Sequence, residues 1–141
     1  MNVLIAYNSR TGHTHQAADA IATAARKLGH EASVKRVSEV QAGDVQAADV
    51  LFVGTWVAGF ILFGVKPAGA DQWVPALPSL DGKPVAVFCT YAFNPRGSLR
   101  TLANLLEKRG AKIQGQHAFH RSQTSAGAEE FVSQVLQVAN A

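Results

Sequence analysis

The chain predicts an α/β fold: a three-layer sandwich in which a five-stranded parallel sheet of order 2-1-3-4-5 carries helices on both faces. Two observations carry this. The period of the apolar residues switches repeatedly between strand-like runs and helical spacing, and strands that alternate with helices imply a parallel sheet with right-handed crossovers. Three of the apolar runs are also continuous, as in strands buried on both faces, and five strands in 141 residues suit the doubly wound order. Residues 1–141 read as one domain, long enough to bury a real core, with no repeat, low-complexity tract or dividing linker.

The elements follow in order. "NVLIAY" (2–7) is the first buried strand. Over 12–28, Ala17, Ile21, Ala24 and Leu28 recur at helical spacing, and Gly29 supplies a stop. "EASVKRV" (31–37) alternates like a strand with one wetter face, as at a sheet edge. "DVLFVGT" (49–55) and "KPVAVFCT" (83–90) are two more buried strands. Leu99, Leu102, Ala103 and Leu106 mark a helix that Gly110 ends, and "AKIQGQHAF" (111–119) is a more polar strand. Ala128, Phe131, Val132, Val135 and Ala139 make a closing helix that begins near Ser125.

Composition narrows the function. Hydrophobic content of 48% with 16% charged residues describes a globular chain. The start "MNVLIAYNS" has no cationic segment before its apolar run and no small-residue cleavage pattern, so no signal peptide is expected. A single cysteine, Cys89, cannot form an internal disulfide, and a cytoplasmic location fits. A net charge of +3 suggests weak attraction to acidic partners. No Lys/Arg cluster is longer than "KR" and no helix carries a basic stripe, which argues against nucleic acid.

Three loops after strands carry the chemistry. In "SRTGHT" (9–14), Ser9, Thr11 and Thr14 crowd around Gly12 where a strand meets a helix. The hydroxyls suit either a helix cap or an anion site formed with the free N–H groups of the first turn. The spacing is neither a P-loop nor a G-x-G-x-x-G turn. His13 and His15 are expected as solvated helix residues.

The second loop lies in "GTWVAGFILFGVKPAG" (54–69). Over 50–65 the only polar side chain is Thr55, apart from the indole of Trp56. Sixteen residues between Asp49 and Lys66 fall short of the ~20 that a membrane span needs. An apolar loop at the ligand end of a sheet suggests a flat apolar ligand or a docking surface, with plain core packing as the alternative. The third loop, "TYAFNPRGS" (90–98), offers the rings of Tyr91 and Phe93, either to cap the sheet edge or to stack on a ring system.

Together the three loops resemble those of the flavodoxin family. "SRTGHT" is similar to the family's phosphate loop, a hydroxyl residue, any residue, then T-G-x-T. "GTWVAG" resembles the loop that lines the inner flavin face, and "TYAF" the loop whose ring covers the outer face. The resemblance spans about the whole chain and suits the short-chain members. It implies a flavodoxin-like sandwich that binds FMN beyond the switch point of strands one and three, a placement for which flavodoxin is itself the standing example. Ser9, Arg10, Thr11, Gly12, His13 and Thr14 would wrap the phosphate. Thr55, Trp56 and Gly59 would line one flavin face, and Tyr91, with Phe93 nearby, the other. At Gly59 the family often has a glycine whose peptide turns toward flavin N5, a movement that glycine tolerates.

The implied function is an electron carrier between redox partner proteins, with no catalytic side chain because the flavin does the chemistry. The chain is basic where many family members are acidic. This points to an acidic partner over residues 56–66 and to a less negative potential for the reduced flavin. Segment 56–65 could instead serve as a dimer contact or as the substrate wall of an FMN-dependent reductase acting on a small molecule such as a quinone. A flavin-free binding module on the same fold is a further alternative. Two readings are set aside. Six residues separate Cys89 from Arg96 where a cysteine phosphatase loop has five, and a phospho-receiver wants acids where Tyr7, Asn8 and Ser9 stand.

Overall fold

Six strands form one sheet in the computed structural model, which describes residues 1–60 and 64–140. In chain order the elements are β1 (Asn2–Tyr7), α1 (His13–Lys27), β2 (Glu31–Arg36), a 3-10 turn (Val37–Glu39), α2 (Ala42–Ala47), β3 (Val50–Phe60), β4 (Gly64–Pro67), α3 (Ala70–Ala76), β5 (Pro84–Tyr91), α4 (Ser98–Glu107), β6 (Lys112–His120) and α5 (Ala128–Ala139). The path is β2-β1-β3-β5-β6, with every neighbour parallel. β4 lies off this path and pairs antiparallel with β3, from Val57↔Pro67 to Phe60↔Gly64. The expected count of five strands is therefore corrected to six, because β4 enters the chain order between the third and fourth parallel strands. β3 also runs five residues past the expected end at Thr55. Part of the expected apolar loop is thus one arm of a hairpin.

The continuous apolar runs are explained by burial on both faces. In β1, Val3, Ile5 and Tyr7 point to one core, and Leu4 and Ala6 to the other. The first core packs α1 and α5 on the sheet through Ile21, Phe131 and Val132, against Phe52, Phe88 and Phe119. The second packs α3 and α4 through Val74, Leu102 and Leu106, against Leu51, Val53 and Val87. β2, at the edge, has no fully buried residue, as its alternation predicts. Gly54 has a packing role: a Cβ there would lie 2.4 Å from the Phe88 ring, so no larger residue fits without moving the core.

α2 and α3 are additions to the expected elements. They have six and seven residues, too few to establish a period, and α3 contains Pro75. The closing helix begins at Ala128 rather than near Ser125, after Gly127 in the left-handed conformation.

Candidate functional site

The carboxyl ends of β1, β3, β5 and β6 surround a cleft of about 260 Å³. From the β1–α1 junction come Ser9, Arg10, Thr11, His13 and Thr14; from β3 come Trp56 and Val57. Thr90, Tyr91 and Ala92 enter from the end of β5, and Arg121 from just after β6.

Gly12 makes the turn into α1 at φ +98, a conformation costly for any side-chain-bearing residue. Ser9 Oγ accepts the Gly12 N–H at 3.0 Å, which closes the loop on itself. Thr11 Oγ1 lies 2.9 Å from His13 Nδ1, and the buried Thr14 Oγ1 lies 2.8 Å from Thr90 Oγ1. None of these hydroxyls caps the first turn of α1, where no side-chain cap bond and no acidic residue occurs. The amides of that turn stay available at the positive end of the helix dipole. The Gly12 amide is engaged by Ser9. Arg10 places its guanidinium carbon 5.5 Å from the centroid of the Trp56 ring, a cation–π contact across the cleft. His15 is exposed and stacks on Tyr7 at 4.4 Å, whereas His13 faces the cleft.

The hairpin is fastened at its base. Ala68 O accepts from Asn8 Nδ2 (3.1 Å), Thr55 Oγ1 (3.2 Å) and Trp73 Nε1 (2.9 Å), while the Ala68 N–H donates to Trp56 O (2.8 Å). Thr55 is wholly buried by this network and does not line the cleft. Trp56, half-buried, sits one residue beyond it, where the parallel ladder to β5 ends at Trp56↔Thr90. Gly59 lies farther along the hairpin, paired with Val65. Residues 61–63 of the expected 56–65 segment lie outside the described residues.

Tyr91 is half-buried and meets the His120 ring edge-on at 5.3 Å. His120 Nε2 donates to Ala92 O at 2.8 Å, which leaves Nδ1 to accept from the Ser122 hydroxyl at 2.7 Å. Phe93, expected near the flavin, does not line the cleft and is 79% exposed. Thr90, Val57, Ala92 and Arg121 were not anticipated. The sequence signal for Arg121 was its place directly after a strand, at the ligand end of the sheet. Cys89 is buried, which pushes its thiol up to about 12 and removes it as a nucleophile. Among the described residues, no group of three or more His, Cys, Asp or Glu could hold a metal ion, and no helix is long and apolar enough to cross a membrane.

A family model described as a flavodoxin domain matches residues 4–119. No curated protein matches the chain. Among solved structures, a Streptococcus pneumonia TIGR4 flavodoxin is 25% identical with a TM-score of 0.70, over 99% of this chain and 96% of that one. The two-electron reduced Megasphaera elsdenii flavodoxin is 22% identical with a TM-score of 0.76, over 99% of both chains. Oxidised Flavodoxin 2 from Bacillus cereus is 21% identical with a TM-score of 0.75, over 98% of this chain and 99% of that one.

Proposed function

The chain belongs to the flavodoxin family, and on that premise we propose that it holds FMN in the cleft and carries electrons between redox partner proteins. One observation supports this most: a single cleft joins an uncapped helix N-terminus, ringed by hydroxyls, to the aromatic residues Trp56 and Tyr91. The first part suits a phosphate dianion and the second a flat ring system.

In this reading the first-turn amides of α1, with Thr11 and Thr14, hold the phosphate. Ser9 shapes the loop by fixing Gly12. Arg10 and His13 add donors at the rim, and Trp56 and Tyr91 offer ring faces. Gly59 offers a backbone unobstructed by a side chain. Thr55 acts beneath the site by fastening Asn8 and Ala68, and Phe93 takes no part in holding the flavin. FMN supplies the one- and two-electron chemistry. The chain's own residues bind, orient and shield it, and the arginines of the cleft favour an acidic redox partner. A cytoplasmic setting suits the lone buried thiol of Cys89.

The visible absorption spectrum of the purified protein tests the reading. Flavin bands are expected; their absence after FMN addition overturns it and leaves a flavin-free module. Steady turnover of a quinone by reduced nicotinamide, without a separate reductase, would replace the carrier with a small-molecule reductase.

A further inference from the structure

We propose that the face around Phe93 docks an acidic redox protein, with Phe93 as the apolar contact and Arg10, Arg96, Arg100 and Arg121 as the steering charge. This rests on the carrier reading and names its partner class. Phe93 is 79% exposed, against 52% for Val138 and 49% for Leu28, the other exposed large apolar residues among those described. A single exposed ring is ordinary. Here its position is not: Phe93 directly follows Ala92, which lines the cleft.

Its turn is held in place. His120 holds Ala92 O, Asn94 Oδ1 accepts the Arg96 N–H at 2.8 Å, and the Ser98 N–H donates to Pro95 O at 3.0 Å. Arg96 adopts φ +45, while the glycine after it, Gly97, keeps φ −86. The left-handed conformation therefore falls on the arginine and not on the residue that tolerates it freely, a local strain of the kind found at functional sites.

The charge is one-sided. The segments that follow β1, β5 and β6 (8–12, 92–97 and 121–127) contain Arg10, Arg96 and Arg121, with no Asp or Glu. Arg10 and Arg121 line the cleft, and Arg96 and Arg100 line a groove along α4. That groove's carboxylate, Glu107, stands about two turns beyond Arg100. All four arginines are exposed, and among the described residues none is in an ion pair. Such a field accelerates encounter with a negative surface, and the exposed ring supplies the contact that persists once charges meet.

The test titrates the full chain, FMN-loaded and flavin-free, with an acidic plant-type [2Fe–2S] ferredoxin, with basic cytochrome c as the opposite-charge control. Ferredoxin affinity should fall about tenfold as salt rises from roughly 20 to 200 mM, where screening shortens the reach of charge. Phe93→Ser should weaken binding about tenfold with an unchanged salt slope, and Arg96→Glu with Arg100→Glu should flatten that slope. Unchanged thermal unfolding and FMN absorption show that the variants are intact. The proposal is overturned by salt-insensitive binding, by preference for cytochrome c, or by a Phe93→Ser chain that binds like wild type. Absence of flavin would sink the carrier reading alone, because the flavin-free titration still decides the docking.

Discussion

Thr14, on the first turn of α1, and Thr90, at the end of β5, share a hydrogen bond of 2.8 Å between hydroxyls that are both almost wholly buried. Thr14→Val orphans the Thr90 hydroxyl, so stability should drop by about 1–3 kcal/mol. The same change removes a donor from a dianion and should weaken FMN roughly 10- to 100-fold, and riboflavin much less. Thr14→Val with Thr90→Val should recover most of the stability, since no partner is left unpaired, without recovering the preference for FMN. Denaturant unfolding and parallel FMN and riboflavin titrations measure the two effects. Equal loss of both ligands would assign Thr14 to structure only.

Tyr91 and Phe93 are two residues apart yet face different surroundings, the cleft and the solvent. Tyr91→Ala should loosen FMN about tenfold, in keeping with stacking worth roughly 0.5–1.5 kcal/mol beyond area burial, and should restore part of the flavin emission. Phe93→Ala should change neither. Fluorescence titration of the two variants separates them.

Burial raises the Cys89 thiol from 9.0 to about 12. The neutral thiol is thus favoured in the folded state, and its contribution is whole below pH 9. It is lost as pH rises through the interval up to about 12, so stability should fall there. Asp44, bonded by Lys35 and the Gln41 amide, and Glu129, bonded by Lys27, are held below their ordinary values. Their contribution is present above the ordinary carboxylate range and is lost as pH falls through the folded values. Urea midpoints across pH check both signs, and iodoacetamide at pH 8 should label Cys89 only after unfolding.

Lys66 and Arg96 are exposed cations on the cleft side of the sheet. Replacing either by Glu should make the bound flavin harder to reduce, because each change puts negative charge near a ring that gains electrons. Exposure limits the effect to well under about 1 kcal/mol per residue. Redox titrations at low and high salt should show a small negative shift that salt erases. Unmoved potentials at low salt would remove the electrostatic account.

The parallel sheet was legible because burial on both faces leaves a continuous apolar signature at 2–7, 49–55 and 83–90. The hairpin was not, because the same signature past Thr55 reads equally as a buried strand or an apolar loop. Gly59 tilts it toward the loop. The chemistry of 9–14 showed in its unusual crowding of hydroxyls around a glycine. Arg121 did not stand out, since a polar residue after a strand is ordinary, and only the pairing of β6 with β5 brings it beside Tyr91. Phe93 lies outside the cleft for a related reason. Two residues beyond Tyr91 would share its face in a strand, but β5 ends at Tyr91 and the turn sends the next ring outward.

The hairpin base sets an order of assembly. β3 and β4 are neighbours in sequence, and a hairpin can form within about 1–10 μs. Ala68 must then wait for Asn8, 60 residues away, and Thr14 for Thr90, 76 residues away. Closing such spans is the slow part of folding a parallel sheet. The walls of the cleft therefore meet only once these distant pairs have closed, and the protein should reach its ligand already shaped. Refolding should proceed at one rate with or without FMN, while unfolding should slow when FMN is bound. A folding rate that climbs with FMN concentration would show that the ligand helps to build its own site.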